Sequence, residues 1–83
     1  VESKLIVYTS NGCPYCKQVG EFLEDNHAEF EERNISENKD FFREWKAANA
    51  MGTPLTCFGE MQVLGCNEKK LREMIKVSKK KQA

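Results

Sequence analysis

The sequence predicts an α/β fold, a mixed four-stranded sheet flanked by three helices in the order β-α-β-α-β-β-α. Three observations predict it. An apolar β-branched run, a segment of helical period and a second strand candidate follow one another, an order that implies two parallel strands. Two short strand candidates then flank Gly59-Glu60 as a hairpin, which adds antiparallel pairing. A last segment of helical period closes the chain and supplies further cover for the sheet.

Each element has its own local reason. Lys4-Leu-Ile-Val-Tyr-Thr9 ends at the turn cluster Ser10-Asn11-Gly12 and reads as a buried strand. From Cys13 to about Asp25, Cys16, Val19, Phe22 and Leu23 share one helical face, and Asn26 is a stop signal. Pro14 suits the first turn, where its missing N–H would have had no partner. Glu29 to Ile35 is a weaker strand, anchored by Phe30 and Ile35. Ser36-Glu-Asn38 offers helix caps, and Phe41, Phe42, Trp45 and Ala48 recur at helical spacing up to about Asn49. Gly52-Thr53-Pro54 breaks that pattern before strands over Leu55 to Phe58 and Gln62 to Leu64. Gly65 turns the chain into a final helix marked by Leu71, Met74 and Ile75.

At 83 residues the chain is expected to be one domain over residues 1–83, without linker, repeat or low-complexity segment. A domain of this size buries only about 60% of its unfolded surface, enough for many such chains to fold unaided. The 13 positive and 13 negative side chains balance, which argues against a nucleic-acid binder. Lys76, Lys79, Lys80 and Lys81 form a basic cluster that suits a helix C-terminus, where cations meet the negative end of the dipole. No apolar stretch approaches the roughly 18 residues of a membrane span. Val1-Glu2-Ser3-Lys4 lacks the layout of a secretory signal, so the sequence reads as cytoplasmic, not attached to a membrane. In a reducing compartment the four cysteines are then catalytic or metal-binding rather than structural staples.

Ser10-Asn-Gly-Cys13-Pro-Tyr-Cys16-Lys17 carries the chemistry. A C-x-x-C pair beside a strand–helix–strand pattern reads as a redox motif. Cys13 stands where the strand has ended and the helix begins, so unpaired backbone N–H groups and the positive dipole end favour its thiolate. Lys17, four residues on, adds positive charge on the same side. Such settings lower a cysteine pKa from about 8.5 to between roughly 3.5 and 7.5. The magnitude matters: at pH 7 a thiol of pKa about 8.5 is about 3% ionised, and one of pKa near 5 about 99%. That gain outweighs the modest loss of intrinsic nucleophilicity. Cys16, inside the first turn and facing the core, is expected to attack the mixed disulfide from within.

Other readings of the cysteines are weaker. A four-cysteine metal site would use Cys13, Cys16, Cys57 and Cys66, but the last two are separated by eight residues where ligand pairs usually have about two to four. No metal is therefore expected. Cys57 reads as a small core residue. Cys66, after Gly65 at a helix start, reads as a partly buried residue or an exposed, oxidisable one.

Cys13-Pro-Tyr-Cys16 is the tetrapeptide of the dithiol glutaredoxins, and the chain resembles that family over nearly its whole length. Thr53-Pro54 in the middle and Gly65-Cys66-Asn67-Glu68 before the last helix keep the family's order and spacing. The resemblance implies a thioredoxin-like fold, a cis proline at Pro54 beside the cysteines, and a Thr53 backbone that pairs with glutathione's cysteinyl unit. It implies Tyr15 and Lys17 as further pocket residues. Three features depart from the family. Ser10-Asn11-Gly12 stands where a lysine is common, and Gly52-Thr53-Pro54 replaces Thr-Val-Pro. Leu64-Gly65-Cys66-Asn67-Glu68 replaces Gly-Gly and an acidic pair. Asn67 retains an acceptor oxygen, and the N–H groups of Cys66 and Asn67 suit a carboxylate.

The function implied is reduction of protein disulfides and glutathione mixed disulfides, by a monomer that binds no cofactor and uses glutathione as reducing co-substrate. The thinned pocket admits the same chemistry driven by thioredoxin reductase or another low-molecular-weight thiol. A zinc or iron–sulfur binding module is a different class, which Pro14 disfavours for a bridging cluster.

Overall fold

The computed structural model describes residues 5–59 and 61–82, with the backbone alone over residues 79–82. The readings of Val1 to Lys4, of Glu60 in the hairpin and of the Lys79–Lys81 side chains lie outside the described residues. The elements are β1 (Leu5–Thr9), α1 (Pro14–Asp25), β2 (Phe30–Asn34), α2 (Lys39–Ala47), β3 (Leu55–Phe58), β4 (Met61–Leu64) and α3 (Glu68–Gln82). The sheet runs β2-β1-β3-β4, with β1 and β2 parallel and the other two pairs antiparallel. This is the expected mixed sheet with three helices. β1 lies inside the sheet because it pairs on both sides, Val7 standing opposite Glu32 on β2 and Thr56 on β3.

Side chains alternate across a strand, so each face has its own residues. Leu5, Val7, Phe58 and Val63 share one face and are buried with Val19 and Leu23 of α1 and Leu71, Met74 and Ile75 of α3. Full burial of an aliphatic side chain contributes roughly 1.5–3 kcal/mol, so this layer dominates the stability. Phe22 and Phe30 pack against it while remaining partly exposed.

The opposite face is covered by α2. Phe41, Phe42, Trp45 and Ala48 have the spacing of a core-facing stripe, yet none of α2 is buried, and Phe42 is 41% exposed. The reason is the partner surface. β2 presents Glu31 and Arg33 to this side, so the helix is clasped by polar contacts instead of dry packing. The Tyr8 hydroxyl donates to Glu44 at 3.1 Å, and Arg33 pairs with both Glu31 and Glu44 while lying over the Phe41 ring. These contacts hold the Arg33 guanidinium above its usual pKa, the Glu31 hydrogen bond leading, and burial plus Glu44 raise that of Tyr8.

Helix ends are fixed by side chains. Asn38 caps α2, its Oδ1 accepting the N–H of Asp40 at 2.9 Å and of Phe41 at 3.3 Å. α2 ends at Ala47, short of the expected Asn49, which takes a left-handed φ of 59°. α1 ends as expected near Asn26, whose side-chain N–H donates to the Phe22 carbonyl at 2.8 Å. No helix among the described residues is long and apolar enough to cross a membrane.

Candidate active site

β1 stops at Thr9, and Gly12 makes the turn with a left-handed φ of 72°, a conformation that costs a residue without Cβ little. The turn delivers Cys13 as the N-cap of α1 with Pro14 next. Its sulfur accepts the Cys16 backbone N–H at 3.2 Å, the bond a serine or aspartate oxygen makes at an ordinary N-cap. Cys13 is half-buried and Cys16, one turn along on the core side, only 8% exposed. All four cysteines are free thiols.

The two thiols are driven in opposite directions. Partial burial pushes the Cys13 thiol up, but hydrogen bonds from the Cys16 thiol and amide, the Thr53 hydroxyl and the Tyr15 amide outweigh it. Its pKa lies below the ordinary value. Cys16 is pushed up to about 11, by burial first and then by its hydrogen bond to Cys13 and the charge there. Cys13 is thus the more acidic of the two thiols, and Cys16 behind it holds its proton more tightly. Burial also raises the Cys57 thiol, which is half-buried on β3 and stands outside the expected core layer.

Thr53 and Pro54 come to the same end of the sheet because the start of β3 pairs antiparallel with the end of β1, Leu55 opposite Tyr8. Their peptide bond is cis. The Thr53 hydroxyl lies 2.7 Å from that of Ser10. A hydroxyl has one proton to donate. Either hydroxyl can donate in that bond. The Pro54 carbonyl accepts the Gly65 N–H at 2.8 Å, which ties the start of β3 to the end of β4.

The remaining candidates are more scattered. Tyr15 is 58% exposed beside Cys13. Lys17 is exposed and lines a cavity of about 410 Å³ together with both active-site cysteines, Glu21, Glu24 and Glu32. Cys66 is half-buried against the core. Asn67 caps α3, its Oδ1 accepting the Lys70 N–H at 3.2 Å. An amide oxygen has two lone pairs, so the cap leaves one of them for a further donor. Among the described residues, no group of three or more histidines, cysteines and carboxylates is arranged to hold a metal ion.

The glutaredoxin family model matches residues 5–59, from β1 through the end of β3, and so takes in the cysteine pair and Thr53-Pro54. The chain belongs to the glutaredoxin family. Solved structures agree. The thioredoxin-like protein BC3987 is 29% identical, with a TM-score of 0.76 over 86% of this chain and 99% of its own. A point mutant of it is 28% identical, with a TM-score of 0.77 over 86% and 97%. A glutaredoxin from Archaeoglobus fulgidus is 29% identical, with a TM-score of 0.72 over 87% of this chain and 85% of that one. No curated protein matches the chain. Family and fold make this glutaredoxin a thiol redox protein with a thioredoxin-like architecture.

Two residues of the site escape the sequence reading. Ser10 reads there only as part of a turn, yet it holds Thr53. Trp45 reads only as one of the residues at helical spacing in α2, yet its indole N–H donates to the Gly52 carbonyl at 3.0 Å, next to Thr53. No local signal marks either one, because the partner of Ser10 is 43 residues away and that of Trp45 is a backbone atom.

Proposed function

We propose that the protein is a thiol–disulfide oxidoreductase that reduces protein disulfides and glutathione mixed disulfides, with glutathione as the electron donor. The observation that carries this is the Cys13 sulfur at the head of α1, accepting the Cys16 amide and held below the ordinary thiol pKa. The Cys13 thiolate attacks one sulfur of the substrate disulfide, forming a mixed disulfide and releasing the other sulfur as a thiolate. Cys16, losing its proton, attacks Cys13. The Cys13–Cys16 disulfide forms and the second substrate sulfur leaves as a thiolate, taking up a proton from solvent. Two glutathione molecules restore the dithiol and leave as glutathione disulfide. A low pKa also makes Cys13 a good leaving group in that last exchange.

The proposed substrate surface comprises the Thr53 backbone beside Pro54, with Tyr15 and Lys17 flanking Cys13. Two substitutions test the division of labour. Cys13→Ser should abolish turnover of every substrate. Cys16→Ser should keep activity on glutathione mixed disulfides, where glutathione itself resolves the intermediate, and lose most reduction of protein disulfides. Equal losses from the two variants would refute the assignment.

A second reading keeps the chemistry and changes the donor. Gly65-Cys66-Asn67-Glu68 in place of an acidic pair favours it, because glutathione's ammonium group then meets less negative charge at the start of α3. Oxidised protein supplied either with glutathione and its reductase or with NADPH and thioredoxin reductase separates the two. No reduction by millimolar glutathione would remove the lead version.

A further inference from the structure

Three consecutive residues before β3 are each held by one hydrogen bond from a different part of the chain. Trp45 on α2 donates its indole N–H to the Gly52 carbonyl at 3.0 Å. Ser10, after β1, bonds the Thr53 hydroxyl at 2.7 Å, and Gly65, after β4, donates to the Pro54 carbonyl at 2.8 Å. The indole has a single donor, so this bond uses all it has. Its ring is half-buried and lies 5.7 Å from that of Phe42, centroid to centroid.

The Gly52 carbonyl and the Thr53 N–H belong to the same peptide unit. That unit is trans; the one cis bond among the described residues is the next, Thr53–Pro54. In a trans peptide the C=O and N–H point in opposite directions. The bond that draws the Gly52 carbonyl toward α2 therefore turns the Thr53 N–H away from α2. Gly52, without a Cβ, would otherwise let this plane rotate at little cost. The Ser10 bond fixes the Thr53 side chain on the side of Cys13.

We propose that Trp45 is a positioning residue for substrate recognition. By holding the Gly52 carbonyl it aims the Thr53 N–H at the backbone carbonyl of the substrate's cysteine, while that cysteine's sulfur meets Cys13. The preferred substrates are then disulfides of cysteine within a peptide, over disulfides of simple thiols that lack the carbonyl. This rests on the proposed chemistry at Cys13 and adds a residue remote from it.

The test compares two neutral mixed disulfides of 2-mercaptoethanol. One is with N-acetylcysteine N-methylamide, and the other with N-acetylcysteamine, which differs by lacking the carboxamide. Trp45→Phe keeps a ring against Phe42 and removes the indole N–H along with one of the two fused rings. It should lower kcat/KM for the carboxamide substrate about fivefold, the size of one neutral hydrogen bond, through KM with kcat unchanged. Turnover of the N-acetylcysteamine disulfide should not change. Equal losses on both substrates, or no loss on either, would overturn the positioning role alone. Wild-type protein inactive on both would overturn the parent chemistry as well. A second measurement does not depend on how the variant folds. In Cys16→Ser protein trapped with each thiol on Cys13, the Thr53 amide should exchange with solvent more slowly in the carboxamide adduct. Equal exchange would contradict the proposed aim.

Discussion

A sulfur at a helix start gains more from the donors around it than from its distance to a formal charge. Cys13 is stabilised as a thiolate by the Cys16 thiol and amide, the Thr53 hydroxyl and the Tyr15 amide, against the opposing effect of burial. Activity should therefore rise with pH through a pKa below that of an ordinary thiol. Thr53→Val removes one donor, so the rise, and the ultraviolet thiolate absorbance that follows it, should move to higher pH. An unmoved titration would remove Thr53 from the site. Cys16 behaves in the opposite sense. Its folded-state pKa is raised to about 11, so the folded protein keeps a proton that the unfolded chain has released. That stabilisation is complete below the ordinary thiol pKa and is lost as pH rises toward the folded value. The thermal midpoint of the reduced protein should fall across that alkaline window, and Cys16→Ala should flatten the slope. At this scale the sequence discloses Cys13 and Cys16 because their relation is local, four residues spanning one helical turn. Ser10 and Thr53 meet only because two strands are neighbours, a relation that nothing in their own segments encodes.

Among the elements, the ends of helices are written more clearly than their faces. Asn38 is recognisable as a cap from its place before an apolar period, and it holds two otherwise unpaired N–H groups at the head of α2. Asn38→Ala should cost about 1 kcal/mol, read as a lower urea midpoint with an unchanged slope. A cost near zero would mean that solvent satisfies those groups equally well. The face of α2 misleads, since helical spacing reports which residues share a side but not what that side meets. Here it meets Glu31, Arg33 and Tyr8, so its aromatic rings stay part-exposed and the Glu44 carboxylate does the fastening. Asn67 shows the same limit. Its type and position suit both a ligand and a cap, and only the approach of the Lys70 amide reveals the cap.

For the molecule as a whole, one layer between the sheet and the α1–α3 pair carries the fold. Leu23 is fully buried in it. Leu23→Ala should cost about 2–5 kcal/mol, against a total of roughly 5–15 kcal/mol for a native domain. Chemical unfolding of that variant should show a large loss, and a change below about 1 kcal/mol would show that this layer tolerates a void. The topology was open to reading because each connection has a length and turn chemistry that permit few alternatives. The strand order also leaves two unlike borders. β2 closes one side with Glu31, Glu32 and Arg33, while β4 closes the other with Met61, Gln62, Val63 and Leu64, uncharged throughout, with Leu64 52% exposed. A foreign strand laid alongside β2 must desolvate ionised groups, whereas one laid alongside β4 meets a neutral ladder. Two copies meeting edge to edge would join β4 to β4, a self-complementary contact that closes as a pair and leaves no growing end.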